Sequence, residues 1–360
     1  MPRLFPPVAV ALALAASPAT AGGIERALPP FGLLFEPGNH LQFDIARISP
    51  RVTGQQVPWP AETGDVLGNF STGALALKVA LGARADLAVV LNKPVGIDLA
   101  YPASGYMISG SQAAIEATRL TALLRWRLTG AISLIGGALL ETASGTVDQF
   151  DGYRMRTETD LAPGAILGVA WERPDIAARV ALIWTSAINH DFSARETWGG
   201  DWSDTAFRTT IPQSLTLEAQ TGIAADTLVF GSVRWADWSA FNISTPFYED
   251  VYAMPLADYK GDVTTFEIGL GRRFSDQWSG AVMLTHEPKI GGYSGNLGPQ
   301  DGMTAITLAA TRTQGAVTVT GFVRHAEFGD TATQLPGLEP LGRFTDDHVT
   351  AVGLRVGYAF

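Results

Sequence analysis

The chain has 360 residues, a net charge of −10 and a pI near 5.0. That balance excludes nucleic acid as a partner, because phosphate backbones demand a basic face. It contains no cysteine, 17% charged residues and 39 glycines. Disulfide frameworks and thiol chemistry are thereby ruled out, while tight turns and many lipid-facing wall positions fit the composition.

Residues 1–21 have the layout of an export signal. Arg3 supplies the positive start, Val8 to Ala16 the apolar stretch, and Ala19-Thr20-Ala21 the small-residue cleavage site. The apolar stretch is too short to cross a bilayer as a helix, and no run of about 18 uncharged apolar residues follows it. An exported protein is expected, and a helical inner-membrane protein is not. Residues 22–40 are rich in Gly and Pro but carry Phe31, Leu33, Leu34 and Phe35. They suit a plug or hatch inside a barrel, or else a loose N-terminal arm.

From residue 41 the chain falls into hairpins whose strands alternate with period two. The expected strands are 41–48, 74–81, 87–99, 113–128, 131–144, 161–172, 176–190, 213–223, 227–238, 263–274, 278–287, 303–313, 316–327 and 349–360. In the last of these Val352, Leu354, Val356, Tyr358 and Phe360 share one face, opposite Gly353, Arg355 and Gly357. An apolar strand ending in Tyr-x-Phe resembles the terminal strand of bacterial outer-membrane barrels, where closure removes the exposed edge. Short turns alternate with loops of roughly 15 to 25 residues, the asymmetry of such barrels, which have an even strand count. Lys78, Arg119, Arg125, Arg179, Glu218, Arg234, Glu267, Arg324 and Arg355 lie opposite the apolar stripes, so the polar face is a lumen. The expected fold is all-β: a membrane-spanning, antiparallel, up-and-down barrel of about fourteen strands over 41–360 with a short N-terminal plug.

Three features carry chemistry. His190, His286, His325 and His348 lie at the loop-side ends of strands, the first two and the last directly beside acids, as solvated rim residues or, less favoured, as members of a rim hydrolase. No motif marks a nucleophile, a metal site or a cofactor site; a non-enzyme is expected. The loops carry Trp198, Trp202, Phe241, Phe247, Tyr248 and Tyr252, suited to capturing apolar molecules. The third strand contains Asn92-Lys93-Pro94-Val95-Gly96. Proline cannot donate to the ladder and glycine weakens it, so the wall should kink or open there, or the strand end.

Fourteen strands, a Gly/Pro-rich plug, a broken third strand and a Tyr-x-Phe end together resemble the FadL-type outer-membrane long-chain fatty-acid transporters. The segments Asn92–Pro102, Trp171–Ile176, Gln220–Ile223 and Phe230–Trp235 are similar to members of that family. Where the family has an Asn-Pro-Ala signature in a longer plug, this chain has Phe35-Glu36-Pro37-Gly38-Asn39. The resemblance implies a Gram-negative outer-membrane protein that takes up hydrophobic molecules, fatty acids first among them. Ligand would be captured by the loops through Trp198, Trp202, Phe247 and Tyr248, and released sideways at Asn92, Pro94 and Gly96. It also implies contact with membrane lipid and with the barrel-assembly machinery through Tyr358 and Phe360. A fatty-acid carboxylate wants a cation in a low-dielectric pocket, so Lys78, Arg119 and Arg125 are its candidate partners, unless they form ion ladders with Glu116 and Glu141. A porin for small polar solutes is the alternative function that the charged lumen allows.

Overall fold

Period-two strands with one apolar face can hide their edges only by closing on themselves, and this chain does so. The structure, a computed structural model, describes residues 24–27, 31–57, 59–102, 105–335 and 337–360. The expected signal, 1–21, lies outside them. The wall has fourteen strands: β1 His40–Arg51, β2 Phe70–Leu81, β3 Ala85–Asn92 continuing as Gly96–Ala100, β4 Gln112–Arg127, β5 Ile132–Asp148, β6 Asp160–Arg173 and β7 Ala178–Thr185. There follow β8 Ser214–Ala224, β9 Thr227–Ala236, β10 Val263–Arg273, β11 Trp278–Glu287, β12 Met303–Gln314, β13 Val317–Phe328 and β14 His348–Ala359. Each pairs antiparallel with the next, and β14 pairs with β1 from His40↔Ala359 to Arg51↔His348. Closure leaves the wall no free edge except where β3 breaks.

The outer surface is apolar around the ring. Leu41, Phe43 and Ile45 on β1, Leu167 on β6, Ile268 on β10 and Val352 on β14 are all exposed, Leu167 and Ile268 at 60%. Such a belt is untenable in water and is what a bilayer covers. The opposite faces turn charges inward: Lys78, Arg119, Arg125, Arg234 and Arg324 are buried. They are matched by carboxylates, as when Arg355 grips Asp44 across the β14–β1 seam, Nε to Oδ1 2.6 Å. Both ends of the wall lie on the short-turn side.

Three expectations are corrected. The wall part of the seventh strand is only Ala178–Thr185; the chain from Ile188 to Trp198 pairs with Asp201–Ile211 as a hairpin of the upper loops. His190 therefore is no solvated rim residue. It is fully buried between Asp160 (2.9 Å) and Glu141 (3.3 Å), because the hairpin leans over the lumen. Glu116, expected to form an ion ladder with Arg119, faces out at 66% exposure and meets Lys93 at 3.7 Å. It is three residues from Arg119, and an odd separation in a strand means opposite faces. Arg119 instead pairs with Glu141 at 2.7 Å.

The upper mouth is capped by a small sheet in which Thr53–Gln56 pairs with Glu62–Asp65 and Leu338–Phe344. Asp347, just before β14, fastens the cap: its carboxylate accepts the Thr53 N–H at 2.8 Å and its carbonyl accepts the Phe328 N–H. Burial, with Asp65 and Asp330 nearby, pushes its carboxyl up from 3.8 to about 7, against the Thr53 bond and His348. An acid that holds its proton more tightly when folded stabilises most below its unfolded pKa and loses that contribution as pH rises. The cap should accordingly loosen between pH 3.8 and about 7. Proteolysis of the upper loops across that range should accelerate in the parent protein and stay flat in Asp347→Asn.

Candidate functional site

The break in β3 organises the site. Up to Asn92 the strand pairs with both neighbours, Asn92 lying opposite Ala74 of β2 and Arg119 of β4. Pro94 has no N–H to give. Beyond it β3 pairs with β4 alone, Gly96 opposite Glu116 and Ala100 opposite Gln112. From Asn92 to Gly96 is four steps on β3 against three on β4, so one extra residue bulges out. A single inserted residue exchanges the faces of everything after it. Before the break the even positions Ala88, Val90 and Asn92 are buried; after it Leu99 is buried and Ile97 is half-buried, both turned inward.

Between Phe70–Gly73 of β2 and the upper half of β3 the wall is therefore unpaired. The N-terminal segment fills that gap from inside. Glu25 bridges Val95: Arg26 N–H donates to the Pro94 carbonyl at 2.7 Å and Gly96 N–H to the Ile24 carbonyl at 2.8 Å. The Arg26 guanidinium lies over the Phe70 ring, 4.3 Å from its centroid. A Cβ on Gly96 would stand 2.8 Å from the Arg26 guanidinium carbon and 2.8 Å from the Ile115 carbonyl oxygen, so only glycine admits the strap. Glu25 reaches across the lumen to β9, where Arg234 holds it bidentately at 2.6 and 2.8 Å. Higher up, Gly68 N–H to Asp98 carbonyl and Ala100 N–H to Val66 carbonyl close the top of the gap.

Above the strap is a cavity of about 400 Å³. Its floor includes Ile24, Ile97 and Leu99; its roof is Phe241, Ile243 and the tyrosines of a short helix, α1 Pro246–Tyr252. Lys260 is the one basic residue on its lining, among the described residues, and its ammonium lies 5.7 Å from the Tyr293 ring centroid. Beside it the Tyr259 phenol is pushed well above its ordinary range by burial, so it stays a hydrogen-bond donor. A smaller void of about 60 Å³ shares Ile24, Ile97 and Tyr259 with the cavity and reaches Leu67, Phe70 and Arg26 at the gap. The route from cavity to wall is thus occupied by one arginine and one phenylalanine.

Below, residues 31–39 form a floor. Phe31, Leu33 and Leu34 are buried, and the Phe35 ring lies between the guanidiniums of Arg125 (4.5 Å) and Arg179 (4.2 Å). Lys78 donates to the Glu36 and Gly38 carbonyls at 2.7 Å each and pairs with Asp86 at 2.8 Å. A second space of about 210 Å³, lined by Thr311, Thr313, Thr318 and Thr320, opens beneath this floor.

Of the residues singled out from sequence, Asn92, Pro94 and Gly96 are brought together at the gap. Lys78, Arg119 and Arg125 are lumenal and engaged by Asp86, Glu141 and Glu172; none lines the larger cavity. Tyr248 is buried in the cavity roof and Phe247 packs behind it. Trp202, 64% exposed, stands at the hairpin tip under the Arg195 guanidinium, and Trp198 abuts Tyr252 edge-on. His286 and His325 point outward, bonded to Thr304 and Thr350, and His348 lies beside His325. Sequence reasoning missed the strap Ile24–Arg26, the cavity residues Tyr259 and Lys260, and the inward turn of Ile97 and Leu99. Only the last had a signal, the odd count through Pro94.

Fold and site together define a membrane-spanning β-barrel whose lumen holds a floor below and an apolar cavity above a strapped wall break. No family model matches the chain, and no curated protein sequence does. Solved structures do match. A Pseudomonas aeruginosa FadL homologue superposes with a TM-score of 0.74 at 14% identity, over 96% of this chain and 97% of that one. The P. putida toluene transporter TodX gives 0.67 at 12% identity, over 91% and 92%, and the Ralstonia pickettii toluene transporter TbuX gives 0.64 at 12%, over 90% of each. The chain therefore has the FadL-type fold.

Proposed function

We propose that this protein carries hydrophobic molecules, long-chain fatty acids in particular, passively across the outer membrane of a Gram-negative cell. The observation that carries the proposal is the apolar cavity of about 400 Å³ leading to a wall break that is closed by the chain's own N-terminal segment. Ligand is gathered by Trp198 and Trp202 at the hairpin tip, enters past Phe247 and Tyr248, and leaves sideways at Asn92, Pro94 and Gly96 when the strap withdraws. Lys260 meets the carboxylate; Lys78, Arg119 and Arg125 hold lumenal acids. Residues 1–21 direct export, Tyr358 and Phe360 present the last strand to the assembly machinery, and the outer belt meets membrane lipid. The toluene transport named for two of the matched proteins supports an apolar cargo, and the filled floor argues against an open porin.

The test removes the bulge. Asn92–Gly96 is replaced by an alternating Val/Thr segment one residue shorter, so that β2, β3 and β4 pair without interruption. Oleate uptake into proteoliposomes should fall to the level of empty vesicles while heat-modifiable migration shows a folded barrel; unchanged uptake would sink the proposal. In the same assay Lys260→Met should weaken oleate affinity by only about threefold, since the ammonium is exposed and screened, and leave pyrene affinity unchanged.

A further inference from the structure

Glu196 is a carboxylate buried in the upper loops. It lies on the loop hairpin strand Ile188–Trp198, is fully buried, and has no ion-pair partner among the described residues. A buried carboxylate is costly unless hydrogen bonds replace its water. Here three hydroxyls do so: Tyr153 and Thr245 each donate to Oε2 at 2.6 Å, and Thr205 donates to Oε1. They come from three separate places: Tyr153 in the β5–β6 loop, Thr205 on the partner strand of the hairpin, and Thr245 immediately before α1.

Thr245 is the N-cap of α1, and its hydroxyl oxygen also accepts the Tyr248 N–H at 3.4 Å. A seven-residue helix ending at an αL Ala253 has little stability of its own. Its orientation depends on what holds its first turn. Tyr153 continues the same arrangement, because its ring is the edge-on platform for Tyr248 (4.9 Å) and Tyr252 (6.0 Å). Both tyrosines face the cavity.

We infer that Glu196 is the positioning residue for the cavity roof: through Thr245 and Tyr153 its carboxylate sets where Tyr248 and Tyr252 stand over bound ligand, and so how fast ligand leaves upward. It touches no ligand itself. The inference rests on the cavity being the transport site, and the experiment separates the two. Glu196→Ala leaves three donors without an acceptor and can disorder the hairpin, so Thr245→Val, which removes one hydroxyl and keeps the carboxylate, is measured beside it. Amide exchange at Glu249 and Ala253, whose acceptors are backbone carbonyls that neither variant removes, is followed together with pyrene release from detergent-solubilised barrel.

Each single variant should speed both processes about tenfold, the scale expected for one hydrogen bond to a charged group. Wall-strand amides should be unmoved. Glu196→Gln should fall between parent and Glu196→Ala, and the double variant should fall well short of the product of the two single effects, since the Thr245–Glu196 bond is lost in both. Unchanged amide exchange in Thr245→Val, or additive effects in the double variant, would overturn the positioning role. Faster exchange with unchanged pyrene release would show that the ligand sits elsewhere, and would remove the cavity and the role together.

Discussion

Oleate uptake should fall to the level of empty vesicles when a disulfide joins positions 25 and 95, and dithiothreitol should restore it. The strap and the β3 bulge are held as a minimal antiparallel pair in which Arg26 N–H donates to Pro94 and Gly96 N–H to Ile24, on either side of Glu25 and Val95. This makes Glu25 and Val95 a non-hydrogen-bonded pair, the kind whose Cα atoms stand about 4.5 Å apart. That spacing lies within the range a disulfide accepts. The chain has no cysteine of its own, so Glu25→Cys with Val95→Cys introduces the only thiols. Reduced, this variant lacks the carboxylate that Arg234 holds, and the strap is tied only by backbone bonds and Arg26. Uptake should then exceed that of the parent. Oxidised, the strap cannot leave the gap, and the void between cavity and lipid stays filled. Arg234→Ala gives the independent check. It unpins the strap without touching it, leaves Glu25 largely buried and unpaired at a cost of up to about 3–5 kcal/mol, and should raise uptake. If the oxidised variant transports as well as the reduced one, lateral release is wrong, whatever the fate of the cavity.

The barrel was legible because its information is local. Each wall strand shows its two faces within ten residues, and turns such as Arg173-Pro174-Asp175 and Gln314-Gly315 mark where each hairpin folds back. The break was legible for the same reason, since Pro94 and Gly96 violate a strand in place. What the break does was not legible. Counting through the bulge turns Ile97 and Leu99 inward, yet alternation alone says only that a strand was interrupted. Glu116 was misplaced because composition grouped it with Arg119, although parity separates them. The strap is a harder case. Glu25 and Arg234 are 209 residues apart and meet only because the barrel closes between them, so no local pattern announces the pair. Lys260 and Tyr259 reach the cavity because a loop folds over the lumen. His190 escaped for that reason also: its neighbours Asp160 and Glu141 belong to other strands, and the adjacent Asp191 faces away to Arg208.

Deleting residues 24–39 should convert a silent barrel into a steadily conducting one. In planar bilayers the parent should show no persistent current, because Phe31, Leu33 and Leu34 are packed into the lumen. The floor is also clamped from three sides. Phe35 lies between two guanidiniums, an arrangement worth about 2 kcal/mol or more where water is excluded. Lys78 adds two charge-assisted bonds to carbonyls of the floor. Arg125 reaches the Leu34 carbonyl at 3.4 Å besides its place over Phe35. Beneath them lies the threonine-lined space of about 210 Å³, so removal of the floor joins it to the ion-lined lumen above. Phe35→Ala tests the clamp without deleting it. Arg125 keeps Glu172 while both guanidiniums lose the ring, and brief openings should replace silence while β-sheet content and heat-modifiable migration are kept. Lys78→Met should do more, since it frees the Glu36 and Gly38 carbonyls and leaves Asp86 to Arg127 and Arg125 alone. On the proposed route oleate leaves through the wall, an exit separate from any ion current through the floor. A variant lacking the floor should gain current without gaining oleate uptake in proportion, whereas a common exit would make the two rise together.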